Sequence, residues 1–197
     1  MFDQPSPMRR ERPPQRIFTD RLFFAIFPDA GTAARIARLR EELRLELGLQ
    51  GKPLAAERLH ATLHPVGDYA GLPQDIVAMA GDAASTVAMP PFTVAFDGAE
   101  SFRGRPGHRP FVLRGWDGVA GLMMLQQRLG LAMAKAGLGC SVPHYTPHVT
   151  LLYGDRLVTD RPVDRVSWAV HEFVLVHSLL GRSCYRLLAR FPLSGQA

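Results

Sequence analysis

Lysine is almost missing from this 197-residue chain. It occurs at positions 52 and 135 alone, so nearly all the positive charge behind the net +5 and the pI near 9.8 is arginine. That balance favours a polyanionic partner such as RNA, although arginine bias also follows nucleotide composition and counts for little alone. Cysteine is scarce as well. Cys140 and Cys184 have no C-x-x-C spacing, which fits a reduced pair rather than a redox or zinc motif. Long apolar runs are absent: "RLFFAIFP" and "FVLVHSLL" are far too short to span a bilayer, so no membrane contact is expected. The opening "MFDQPSPMRRERPPQR" has no apolar core of the kind a secretory signal needs, and the expected location is the cytoplasm. No Gly-x-x-x-x-Gly-Lys loop, no G-x-G-x-x-G after a strand and no G-x-S-x-G elbow occurs. Phosphate-loop, dinucleotide and serine-elbow chemistries are therefore unsupported.

What is present suits a globular protein with a sizeable core, since 47% of residues are hydrophobic and 21% charged. Residues 1–16, rich in proline and charge without periodicity, read as a disordered tail, and 17–197 as one domain or two intimately packed lobes. "RLFFAIFP" (21–28) is a buried strand closed by proline. "DAGTAARIARLREELRLELG" is a helix capped by Asp29 or Thr32, striped by Ile36, Leu39 and Leu43 and stopped by Gly48. A second helix covers "LPQDIVAMAGDAASTVA", with Gly81 inside it. "PFTVAFDGAESF" and "RPFVLRGW" are strands joined by the loop "RGRPGHR". A third helix runs from Gly118 to Ala136, with Leu122, Leu125, Leu129 and Met133 on one side and "AGLG" as its stop. "VSWAVHEFVLVHSLL" and "SCYRLLARFPL" supply closing strands. The class is α+β or mixed α/β, with related halves facing one another.

One four-residue pattern is written twice: His60-Ala-Thr-Leu and His148-Val-Thr-Leu. On a strand, residues two apart share a face, about 6.5–7 Å along the chain. His60 and Thr62 would then share one face, His148 and Thr150 another, with Ala61, Leu63, Val149 and Leu151 turned into a core. Two such strands lining one cleft would offer two imidazoles and two hydroxyls. Imidazole titrates near neutrality, so one ring can accept a proton while the other donates, and hydroxyls are neutral donors for phosphate oxygens. A phosphodiester is the obvious substrate, and no metal or other cofactor is required. A single histidine is more often a satisfied core residue, but repetition of the whole pattern weakens that reading. His60/His64 and His144/His148 are also i,i+4 pairs, the spacing of zinc ligands on a helix. Pro65 and Pro147 argue against helices there, and no H-E-x-x-H occurs. By period two, His64 and His144 are expected to line the same cleft as their partners.

These motifs, with "RLFFAIFPD", "ERLHATLHPVGDY", "TPHVTLLYG" and the closing "FVLVHSLLGRSCYRLLARFPL", resemble the 2H phosphoesterase superfamily over roughly residues 20–193. Within it, the likeness is to the 2′-5′ RNA ligase-like family, also described as RNA 2′,3′-cyclic phosphodiesterases. The resemblance implies an α+β fold of two lobes, with antiparallel sheets and flanking helices related by a pseudo-twofold axis around a central groove. It implies His60 as proton donor to the departing 3′ oxygen, His148 as proton acceptor from water, and Thr62 and Thr150 on the phosphate. The reaction implied opens a 2′,3′-cyclic phosphate to a 2′-phosphate without metal or cofactor. Activity on a 2′-5′ linkage, or a non-catalytic RNA-binding module, are the alternatives.

Two positions depart from the pattern. Tyr153 stands where many relatives carry a basic residue, and His64-Pro65 where many carry Lys or an aromatic. Tyr153 and His64 therefore join the candidate substrate contacts. Arg103, Arg105 and Arg109 in "RGRPGHR" are candidate grips on an RNA backbone. The expected partner is RNA or a nucleotide bearing a cyclic phosphate, bound by a monomer.

Overall fold

The structure, a computed structural model, describes residues 17–139 and 144–195. The expectations for the 1–16 tail and for Cys140 lie outside these residues. The chain runs through β1 (Asp20–Ile26), α1 (Ala30–Glu46), β2 (Ala61–Tyr69), α2 (Gln74–Ser85), β3 (Phe92–Ser101) and β4 (Arg109–Arg114). It continues through α3 (Ala120–Lys135), β5 (His148–Gly154), β6 (Arg161–Val170), β7 (Glu172–Leu179) and β8 (Cys184–Pro192).

The strands form two four-stranded antiparallel sheets, ordered β2-β1-β7-β8 and β5-β4-β3-β6. Both follow one plan. A strand, a helix and an H-x-T-L strand succeed one another as β1-α1-β2 and again as β4-α3-β5. In each sheet the H-x-T-L strand is at the edge and its predecessor lies beside it. The fold is α+β, with the two related halves the sequence implied.

Local chemistry explains the helices. Asp29 caps α1, its carboxylate accepting from the Thr32 backbone N–H at 2.9 Å and the Thr32 hydroxyl at 2.7 Å. Ile36 and Leu43 of its stripe are buried, and Gly48 follows with φ +60. Along α3, Leu122, Leu125, Leu129 and Met133 are all fully buried. They join Phe24, Ile26 and Phe173 of the first sheet and Phe96, Phe111 and Leu113 of the second in one continuous core. Each flanking helix also reaches the other half, since α1 packs on β6 and α3 on both β2 and β3. A smaller cluster of Phe23, Ala25, Val174 and Val176, with Phe27 and Tyr185, occupies the opposite face of the first sheet.

The run "VSWAVHEFVLVHSLL" divides differently from its appearance. It breaks at His171, and β6 belongs to the second sheet while β7 belongs to the first. β6 also begins earlier, at Arg161, in a stretch too polar to announce a strand. It is an edge strand with one wet face, and there Pro162 costs no ladder bond that an interior strand would need.

Candidate active site

The site starts from a fault in the pairing. In the first sheet Ala25 is opposite Thr62 and Phe24 is opposite His64, so Leu63 drops out of the ladder. In the second, Val112 is opposite Thr150 and Phe111 is opposite Leu152, so Leu151 drops out. Each H-x-T-L motif thus ends in a β-bulge at its leucine. Before the bulge, alternation holds: Ala61, Leu63, Val149 and Leu151 are buried, while the two His and two Thr are half-buried and face a common groove. At the bulge the alternation slips by one. Leu63 and His64 are both buried, as are Leu151 and Leu152, and the groove face resumes at Pro65 and Tyr153.

The slip corrects one expectation. His64 does not line the groove. It is 2% exposed, turned towards α3, with Nε2 donating to the Gln126 carbonyl at 2.7 Å. Gly130 of α3 lies against this ring, where a Cβ would come within 2.9 Å. His144 is exposed and not part of the groove either. The i,i+4 histidine pairs therefore diverge, and no group of three or more His, Cys, Asp or Glu able to hold a metal gathers among the described residues.

β2 and β5, both edge strands, come together, and the groove of about 1240 Å³ runs over them. The segment preceding the first motif binds the second: Leu54 N–H donates to the Leu151 carbonyl at 3.0 Å, and Pro53 bridges Leu152. So the carbonyl of the bulged Leu151 finds its partner outside the β4 ladder. Gly51 approaches the Tyr153 carbonyl so closely that no Cβ would fit. Arg40 of α1 secures the same segment by donating to the Leu54 carbonyl.

Both imidazoles are held alike. His60 Nδ1 donates to the Arg58 carbonyl and His148 Nδ1 donates to the Thr146 carbonyl, each at 2.7 Å and each two residues upstream. A carbonyl can only accept, so Nδ1 carries hydrogen in both rings. In the neutral ring Nε2 is then a lone pair, and it makes no hydrogen bond with the described residues. Phe23, Phe27 and Tyr185 surround His60, with ring centroids 5.1, 5.5 and 5.6 Å away. Phe102 meets His148 edge-on at 4.9 Å. Burial lowers the His60 pKa from 6.5 to about 4, opposed in part by the hydrogen bond to Arg58. His148 is lowered by burial too. In the free protein at neutral pH both rings are uncharged.

Of the remaining candidates, Tyr153 lines the groove and stacks flat on His108, with centroids 4.2 Å apart and 1° between planes. Arg103 and Arg105 are exposed outside the groove lining, and Arg109 is turned to the Asp155 carbonyl at 2.7 Å. The "RGRPGHR" loop enters the groove through Gly107 and His108 instead. Arg21, Lys52, Arg58 and Tyr185 line it too, though the H-x-T-L motifs do not single them out. Period two from His60 could have flagged Arg58, whereas nothing local pointed to Tyr185 at the far end of the chain.

The profile of the 2′-5′ RNA ligase superfamily matches residues 27–182. The chain belongs to this superfamily. Its structure is similar to that of E. coli LigT without ligand, at 28% identity and TM-score 0.73, covering 91% of this chain and 100% of LigT. E. coli LigT complexed with 3′-AMP matches at 30% identity and TM-score 0.73, covering 90% and 99%. The protein TT0787 of Thermus thermophilus, 22% identical, shares the fold with TM-score 0.71 over 90% of this chain and 100% of its own. No curated protein matches the chain. No described helix is long and apolar enough to cross a membrane.

Proposed function

We propose that this superfamily member hydrolyses 2′,3′-cyclic phosphodiesters, on RNA ends or small cyclic nucleotides, to 2′-phosphates without a metal ion. One observation carries the reading: two imidazoles fixed in the same tautomer share one groove with two threonine hydroxyls. Two similar structures support the reading: a phosphoesterase 29% identical to this chain, and E. coli LigT complexed with 3′-AMP.

In this reading Thr62 and Thr150 donate to the phosphate oxygens. His148 Nε2 takes a proton from water as its oxygen attacks phosphorus, the P–O3′ bond breaks, and His60 Nε2 delivers a proton to O3′. The new P–O bond leaves a 2′-phosphate, and the proton gained by His148 balances the one lost by His60. His60 must be protonated at the start, yet its pKa near 4 makes the free ring neutral. The anionic phosphodiester supplies the missing counter-charge and raises that pKa on binding, so the acid is armed only when substrate is present.

The test is a metal-free panel of RNA-terminal and mononucleotide cyclic phosphates, run with EDTA. Hydrolysis to 2′-phosphates supports the proposal. Ligation or cleavage of 2′-5′ linkages as the only activity, or salt-sensitive RNA binding with no turnover, would replace it.

A further inference from the structure

The groove must meet a phosphate's negative charge, and its cations are not equally free to do so. Arg21 is committed to Asp68, with Nε and one terminal nitrogen on its two carboxylate oxygens at 2.6 and 2.7 Å. Lys52 stands exposed at the rim. Arg58 is different. It lies two residues before His60, and its own carbonyl fixes that ring. Its guanidinium carbon lies over the Tyr185 ring, 4.5 Å from the centroid. It forms no ion pair with a carboxylate among the described residues, and its Nε is buried without a hydrogen-bond partner there.

A cation–π contact uses none of the guanidinium's N–H groups as hydrogen-bond donors to a carboxylate, so its charge is left for another anion. Those donors match two oxygens of a phosphate.

We infer that Arg58, seated over Tyr185 beside His60 on the groove wall, is the charged residue that binds the phosphodiester. This deepens the proposed reading and rests on it for the identity of the substrate. It assigns Arg58 two connected roles: its side chain binds the anion, and its backbone keeps Nδ1 of the neighbouring acid occupied. The same cation lies near enough to His60 to add to the depression that burial imposes on the ring.

The experiment titrates inorganic phosphate into the wild type, R58M, R58K, R58Q and K52M, with thermal melting of each. R58M keeps the length and apolar stem over Tyr185 but removes the charge, and all variants keep the backbone carbonyl. The expected result is a loss of about tenfold or more in phosphate affinity for R58M and R58Q, with partial recovery in R58K and little change in K52M. On a turned-over substrate the same loss appears mainly in KM. The alkaline limb of the pH–rate profile, where the His60 acid loses its proton, moves to higher pH, because the nearby cation no longer opposes His60 protonation. Phosphate affinity within twofold of wild type in either charge-deleted variant overturns the inference. Because phosphate binding needs no turnover, a wild type inactive on every cyclic phosphate defeats the proposed function while leaving the Arg58 titration to be judged alone.

Discussion

Leu63 and Leu151 end the two copies of one motif, and each drops out of its ladder at the same place, leaving a bulge in the strand that carries the threonine. The halves agree in this irregularity as well as in residue type. An irregularity kept in both halves has a purpose: it buries Leu63 with His64 and Leu151 with Leu152, anchoring the end of each motif. The histidine and threonine beyond that anchor are left at a fixed height on the groove wall.

Replacing His60 or His148 by alanine is expected to lower turnover of a 2′,3′-cyclic phosphate by about 10²–10⁴, the usual worth of a general acid or base. The double variant should fall little below the weaker single one, because the two rings act as a unit. Initial rates under metal-free conditions measure this, and near-normal rates in both single variants would defeat it.

Stability should depend on pH through the same rings. Folding lowers the His60 pKa from 6.5 to about 4, with His148 and His64 shifted in the same direction by burial. The unfolded chain is then the better proton binder, so stability rises with pH across that interval. It is fully present above about pH 6.5 and is lost as pH falls towards about 4. Urea unfolding at a series of pH values should show this slope, and His60→Gln should flatten it. An unchanged slope in that variant would be inconsistent with a His60 ring kept neutral by desolvation.

Two helix glycines should respond oppositely to alanine. Gly81 in α2 has open space where a Cβ would go, so Gly81→Ala should stabilise by about 0.5–1 kcal/mol. Gly130 in α3 would press its Cβ to 2.9 Å from the His64 ring. There the packing clash, about 1–3 kcal/mol, exceeds the helix-propensity gain, and Gly130→Ala should destabilise. Denaturation midpoints of the two variants give the comparison, and equal signs would refute the placement of His64.

Tyr153 and His108 make a flat stacked pair on the groove wall. Tyr153→Ala should raise KM about 2–10-fold, the equivalent of one aromatic pair, with kcat little changed. Steady-state kinetics on a cyclic-phosphate oligonucleotide measure it. A fall in kcat with KM constant would place Tyr153 in the chemistry rather than in binding.

Much of this arrangement could be read from the residues, because it is local. Asp29 capping α1, the α3 stripe from Leu122 to Met133 and the burial of Ala61 and Val149 between half-buried neighbours all follow from spacing. The failures share a cause. Strict period two puts His64 in the groove, and the bulge that overrules it depends on pairing with β1. Charge favours Arg103 and Arg105, while the loop presents His108, which stacks on Tyr153. Tyr185 and Arg58 are more than a hundred residues apart, and their contact exists only once β8 has closed the first sheet.

That first sheet is assembled from both ends of the chain, whereas the second lies wholly within residues 92–170. During synthesis, the strands carrying His148 can pair as soon as they have all been made. β1 must wait for β7, its neighbour on the other side, and Tyr185 arrives on the strand after that. The ring of aromatic side chains around His60 is therefore completed last, and a growing or C-terminally shortened chain would hold one finished half-site facing an unfinished one.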